Sequence, residues 1–219
     1  MPSPLAAWLA ACLAAAAPAR PLPPVSSASP CVACRGPELD PRAAFSAADW
    51  AALEGGGVWR AEPAAADAGA VHSLAASLVA RPPSEVWSVL TDFERWPQFM
   101  PLLRETRVER REGDELWVAQ KYRIWLYPLQ HRTVYTLAAD EGRLDWRLDT
   151  STPHDIAASA GHWELVPVDG GRATLLRYDA TMTAGRGVPA FLERMLRERS
   201  LAQMLDGLRR EVLRRFPAG

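Results

Sequence analysis

RPPSEVWSVLTDFERWPQFMP, residues Arg81 to Pro101, is the stretch whose reading decides the fold. Pro82 and Pro83 end any extended run before them. Ser84 and Glu85 then supply a hydroxyl and an early negative charge where a helix N-terminus needs both. Val86, Trp87, Val89 and Leu90 recur at the three-to-four spacing of a buried helical stripe. Pro97 and Pro101 confine the next segment, which carries Trp96, Phe99 and Met100, to about one helical turn. Two short helices in succession are therefore expected, leading directly into a strand.

On either side of this stretch the pattern is alternating. Val71 to Ala80 reads as a first strand and Leu103 to Arg111 as a second, with Glu112-Gly113-Asp114 as a hairpin turn. Leu116 to Leu126 follows, with Leu116, Val118, Gln120, Tyr122 and Ile124 on one face and Trp117, Lys121, Arg123 and Trp125 on the other. Pro128 is expected to break that strand. His131 to Ala138, Arg143 to Leu148, Ala158 to Val166 and Ala173 to Thr183 complete a meander, with turns at Asp140-Glu141-Gly142 and Asp169-Gly170-Gly171. A long helix from Pro189 to about Arg215 closes the chain. Its apolar face holds Phe191, Leu192, Met195, Leu196, Leu205, Leu208 and Val212, and its outer side is basic, with Arg194, Arg197, Arg209, Arg210, Arg214 and Arg215. Such a run reads either as a solvated face or as a surface for anionic lipid heads.

This order, with the segments GHWELVP at Gly161 to Pro167, ATLLRY ending at Tyr178 and VPAFLERML opening the last helix, resembles the START-like superfamily. That is the polyketide cyclase, dehydrase and coenzyme Q-binding group. The resemblance runs from Val71 to the C-terminus. It implies an α+β helix-grip fold, START or Bet v 1-like, in which a curved antiparallel sheet wraps around the long C-terminal helix. It also implies an apolar tunnel between the two. The superfamily spans lipid carriers, quinone binders, hormone receptors and a few cyclases, so the ligand has to be argued from the site.

Composition narrows the classes. The 219 residues, 48% hydrophobic and 23% charged, suit one ordinary domain with an N-terminal extension. A net charge of −1 gathers no nucleic acid, so none is expected as a partner. Nine tryptophans, several at alternating strand positions, either fill a bulky core or line a cavity. Residues 1–19 read as a signal peptide, because Leu5 to Ala17 is apolar and Ala17-Pro18-Ala19 offers small residues for cleavage. The protein is therefore expected to be exported, to the periplasm. Leu9-Ala10-Ala11-Cys12 offers the alternative of a lipid anchor on Cys12. Residues 20–42 read as a Pro/Ser/Ala-rich linker and 43–70 as a helical and extended lead-in. Within that lead-in a helix is expected near Ala43 to Leu53 with Ser46 as cap, and an extended start at Val58-Trp59. The START-like domain is expected over 71–219. Cys31 and Cys34, at CxxC spacing, form either a local disulfide or two free thiols.

Catalytic signatures are missing. There is no G-x-S-x-G elbow, no phosphate-cradling glycine loop and no H-E-x-x-H. His72, His131, His154 and His162 are scattered without recurring carboxylate or cysteine partners, so neither a metal nor a cofactor is expected. His154-Asp155 is the one pair suited to acid–base work, and a polar turn before a strand explains it equally well. Binding without chemistry is the favoured function, of a lipid or an isoprenoid quinone, with peripheral membrane contact as a further expectation. Strand alternation places Gln120, Tyr122, Trp146, Trp163 and Tyr178 inward, facing Phe191 and Met195 from the helix. Gln120, Tyr122 and Tyr178 keep polar tips suited to anchoring a ligand. The competing readings are a cyclase or aromatase using His131, His154 or Tyr122, and a membrane-associated interaction module whose cavity has filled with tryptophan.

Overall fold

The structure is a computed structural model, and it describes residues 40–61, 64–65, 70–124, 127–185 and 200–217. A 3-10 turn, Pro41–Ala44, leads into α1, Ala47–Glu54. Ser46 caps α1 as its sequence implies: its hydroxyl accepts the backbone N–H of Asp49 at 3.1 Å. β1 (Val58–Arg60), β2 (Ala64–Ala65) and β3 (Val71–Val79) follow.

The deciding stretch forms α2, Pro83–Leu90, and a 3-10 turn, Phe93–Gln98. The start of α2 is set differently from the expectation. Pro82 occupies the cap position, Pro83 is the first helical residue, and no side chain caps the helix, so the hydroxyl of Ser84 has no such role. A proline there forgoes an N–H that would have had no intrahelical acceptor.

β4 (Leu103–Glu112), β5 (Glu115–Ile124), β6 (Tyr127–Ala138), β7 (Arg143–Leu148), β8 (Ile156–Val168) and β9 (Ala173–Ala184) form a meander, and α3, Leu201–Arg215, ends the described chain. All pairings are antiparallel, in the order β1-β3-β9-β8-β7-β6-β5-β4, with β2 also beside β3. The Glu112 to Glu115 hairpin turns through Gly113 at φ +57, a conformation that glycine adopts without a Cβ penalty.

Pro128 does not break a strand. It is the second residue of β6 and lies opposite Arg123. Its neighbour Gln130 turns its backbone groups away from β5, donating N–H to the Asp155 carboxylate and accepting from the Asp155 N–H. By alternation the nitrogen of Pro128 points the same way, beyond the end of β7, where no ladder bond is lost.

Two apolar clusters lie on opposite faces of the sheet. The larger, on the concave face, packs Val86, Val89 and Leu90 of α2, Phe93 and Trp96 of the turn, and Leu205, Leu208 and Val212 of α3 against the strands. The smaller joins Trp50 and Leu53 of α1 to Ala76, Val168, Ala173 and Leu175. The lead-in is thus packed on the sheet, and residues 39–219 form one compact unit.

α3 is locked at its end by charge. Glu211, only 7% exposed, accepts from Arg214 and Arg215, and Arg215 also reaches Asp92 at 2.7 Å. The basic side therefore differs from the expectation of a uniformly outward face. Arg215 is largely buried and paired, while Arg210 and Arg214 are exposed and each pairs with a carboxylate of the same helix. The expected signal, the expected linker up to residue 39, Cys12, Cys31, Cys34 and residues 186–199, with Phe191 and Met195, lie outside the described residues, while residues 40–42 of the expected linker belong to the opening 3-10 turn.

Candidate functional site

Because directly paired antiparallel residues share a face, the register defines the concave wall. One row runs from Leu116 through Tyr135, Trp146, Gly161 and Ala180 to Ser73. The next runs through Leu144, Trp163, Tyr178 and Ala75. Gln120 lies opposite His131, and Tyr122 opposite Leu129. All five strand residues expected to face inward do so.

The wall has two ends of different character. Toward α2 and α3 it is sealed, with Val79, Leu144 and Leu176 at 0% exposure. Away from them Tyr122, His131, Trp146, Ser159 and Tyr178 are only partly buried, and Met182 is 38% exposed. The second end is the candidate site.

Its aromatic side chains form two groups. Trp146 and Tyr178 stack at 5.3 Å and 29°, and Trp163 meets Tyr178 edge-on at 4.8 Å. Gly161 makes this possible, since a Cβ there would lie 2.6 Å from the Trp146 ring and 2.3 Å from the Asp179 carbonyl oxygen. Tyr122 and His131 form the second group, nearly parallel at 11° and 5.3 Å apart.

The polar residues divide in the same way. Gln120 belongs to a closed core network: its carbonyl accepts from the Thr133 hydroxyl at 2.9 Å, and its amide donates to the Tyr135 hydroxyl at 3.3 Å. Nδ1 of His131 is buried and has no hydrogen-bond partner among the described residues. Burial lowers the His131 pKa to about 4, opposed by the carboxylate of Asp155 and reinforced by His154. Burial raises the Tyr122 and Tyr178 phenols above their ordinary value, so at neutral pH this end is lined by uncharged groups.

The remaining histidines lie elsewhere. His72 pairs with Asp179 at 2.8 Å on the convex face, where His162 also lies opposite Asp179. His154 hydrogen-bonds the Thr152 carbonyl, and Asp155 holds Gln130, so this pair forms the polar turn before β8. Among the described residues no three His, Cys, Asp or Glu side chains are grouped to hold a metal, and no helix is long and apolar enough to cross a membrane. A separate cleft of about 350 Å³ lies between Gln98–Pro101 and α3, with Gly207, Arg210, Glu211 and Arg214 on its helical side.

His131, Thr133 and Tyr135 also line the wall, whereas from the sequence His131 is expected only as a cyclase's acid or base and the other two are not singled out. The signal was present, because continuing the alternation of Gln120 and Tyr122 across the next hairpin places all three inward. Starting β6 at His131, after the proline, concealed it.

The polyketide cyclase/dehydrase and lipid transport family model matches residues 79–209. No curated protein matches the chain. Among solved structures, the Zhui aromatase/cyclase from Streptomyces sp. R1128 superposes with a TM-score of 0.60 at 16% identity, covering 68% of this chain and 97% of that one. A START superfamily protein from Mycobacterium smegmatis gives 0.56 at 20%, covering 65% and 97%. A STAR-related lipid transfer protein from Xanthomonas axonopodis gives 0.53 at 18%, covering 71% and 98%. At these identities the likeness is one of fold, and it is the helix-grip fold that the sheet and α3 display. With a family match over more than half its length, the chain belongs to the polyketide cyclase/dehydrase and lipid transport family.

Proposed function

We propose that this domain binds and carries a hydrophobic small molecule, of lipid or isoprenoid-quinone type, on the concave side of the sheet beneath the C-terminal helix, without transforming it. The observation that carries this reading is the contrast between the two ends of the wall. One is sealed by helices, while the other keeps Tyr122, Trp146, Tyr178 and Met182 partly exposed on the same face. Apolar surface removed from water there contributes about 25 cal/mol per Å², so a ligand covering a few hundred Å² needs only one or two polar anchors. The family's association with lipid transport supports a lipid-like ligand.

The test is native mass spectrometry with lipid extraction on protein purified from its own source. A stoichiometric apolar adduct is the expected result. A clean apo mass, with no thermal shift on adding quinones or phospholipids, would remove the carrier reading. One observation favours a second reading, a filled interior serving as an interaction module: Trp146, Trp163 and Tyr178 pack on one another. The clean apo mass would move weight to it. Export through residues 1–19 belongs to the proposal, and N-terminal sequencing of the mature protein checks it.

A further inference from the structure

Building on the carrier reading, we infer that His131 selects the ligand: the site takes uncharged molecules that present a hydroxyl or carbonyl group to its imidazole, and rejects carboxylates and phosphates. Three independent features lead there. The first is position. His131 lies on the concave wall opposite Gln120, at the partly exposed end, with its ring flat on Tyr122. Stacking occupies a ring face and leaves the nitrogens at the edge for hydrogen bonding.

The second is an unmet need. Buried polar atoms are nearly always paired, and the Gln120, Thr133 and Tyr135 groups next to it are. On this wall the His131 Nδ1 and the Ser77 hydroxyl are buried without a partner among the described residues, and of the two only His131 stands at the partly exposed end, Ser77 being at 0% exposure on the sealed one. A ligand oxygen would supply one.

The third is charge. Around this end of the wall, the described concave residues of β5 to β9 include Gln120, Tyr122, Leu129, Trp146, Ser159, Tyr178 and Met182, and no Lys or Arg of these strands alternates onto that face. The titratable groups acting on His131 are the carboxylate of Asp155, in the lead-in to β8, and its neighbour His154, with opposite signs. Burial keeps the imidazole neutral at pH 7. Among the described residues an anion placed here would lose its hydration, meet no Lys or Arg side chain on the wall and stand near the Asp155 carboxylate. A neutral hydroxyl would meet a ring nitrogen that can accept or donate.

The experiment compares two probes of similar shape, 2-naphthol and 2-naphthoate, by isothermal titration calorimetry at pH 7 on the full chain and on His131→Phe. Phenylalanine keeps a ring over Tyr122 and deletes both nitrogens. The full chain is expected to bind naphthol at least about ten-fold more tightly than naphthoate, and His131→Phe to weaken naphthol about ten-fold, the worth of one hydrogen bond. Binding of naphthoate should not change. Equal binding of both probes by the full chain, or unchanged naphthol binding by a folded His131→Phe, would overturn the inference and leave the carrier reading standing. Binding of neither probe would overturn the inference, and the carrier reading falls with it only if quinones and phospholipids also give no thermal shift. If His131→Phe does not melt cooperatively, His131→Ala makes the same comparison, with recovery of naphthol binding by His131→Asn as the second readout.

Discussion

A single side chain, His131, links the interior to solution pH. Its folded pKa of about 4 lies below the value of about 6.5 for an unfolded histidine. Above pH 6.5 both states are neutral there, and the histidine adds no pH dependence. As pH falls from about 6.5 toward 4, the unfolded chain takes up a proton that the folded chain refuses. Stability therefore declines with acid across that window, by up to about 3 kcal/mol. Urea titrations at pH 7 and pH 4.5 should show the parent losing more stability than His131→Phe. Asp149 and Glu211 act lower. Hydrogen bonds, from Ser151 and from Arg214 respectively, hold each pKa at about 2, so their contribution disappears only as pH falls from about 4 toward 2. Gly161 is the other single position with a large expected effect. Gly161→Val should cost about 1 to 3 kcal/mol by forcing Trp146 off the backbone. It should also flatten the near-ultraviolet circular dichroism of the Trp146 and Tyr178 stack.

Among the elements, α3 owes its seat to two kinds of contact with different predicted costs. Leu208, fully buried against the concave cluster, should cost about 2 to 5 kcal/mol on truncation to alanine. Glu211→Ala removes one of two carboxylates from Arg215, whose side chain is 15% exposed, and should cost about 2 kcal/mol in denaturant midpoint measurements. Arg214→Ala removes an exposed, solvent-screened partner of the same carboxylate and should cost less than Glu211→Ala in the same measurement. This contrast would separate the locking charge from the surface charge, which a sequence of consecutive arginines presents alike. β6 teaches a similar lesson. A proline in a strand is disruptive only where its missing N–H would have joined a ladder. Which way that nitrogen points is a matter of register with β5 and of where β7 ends, so neither Pro128 nor its neighbours disclose it.

At the scale of the molecule, residues 39–219 form one compact unit, with α1 covering the convex face. A chain starting at residue 39 should therefore melt within a few degrees of the full one. Starting at residue 57 instead removes Trp50 and Leu53 and uncovers Val168, Ala173 and Leu175, and should lower the melting temperature clearly. Differential scanning calorimetry of the two truncations distinguishes a packed element from a tether.

Local chemistry accounts for most of what the sequence determined by itself. Hairpin turns, capping by Ser46, the two short helices and the inward set Gln120, Tyr122, Trp146, Trp163 and Tyr178 all follow from spacing over a few residues. Only the tertiary structure decided which polar residues on that face are satisfied and which are not. Gln120 and His131 are opposite one another on paired strands, and both point inward. One meets Thr133 and Tyr135, while the other leaves a buried nitrogen unpartnered. Hydrogen-bond partners, burial and the charge of a facing loop come from strands and turns distant along the chain. A side chain's neighbours are therefore a property of the folded wall, whereas the face it shows is a property of its place in the alternation.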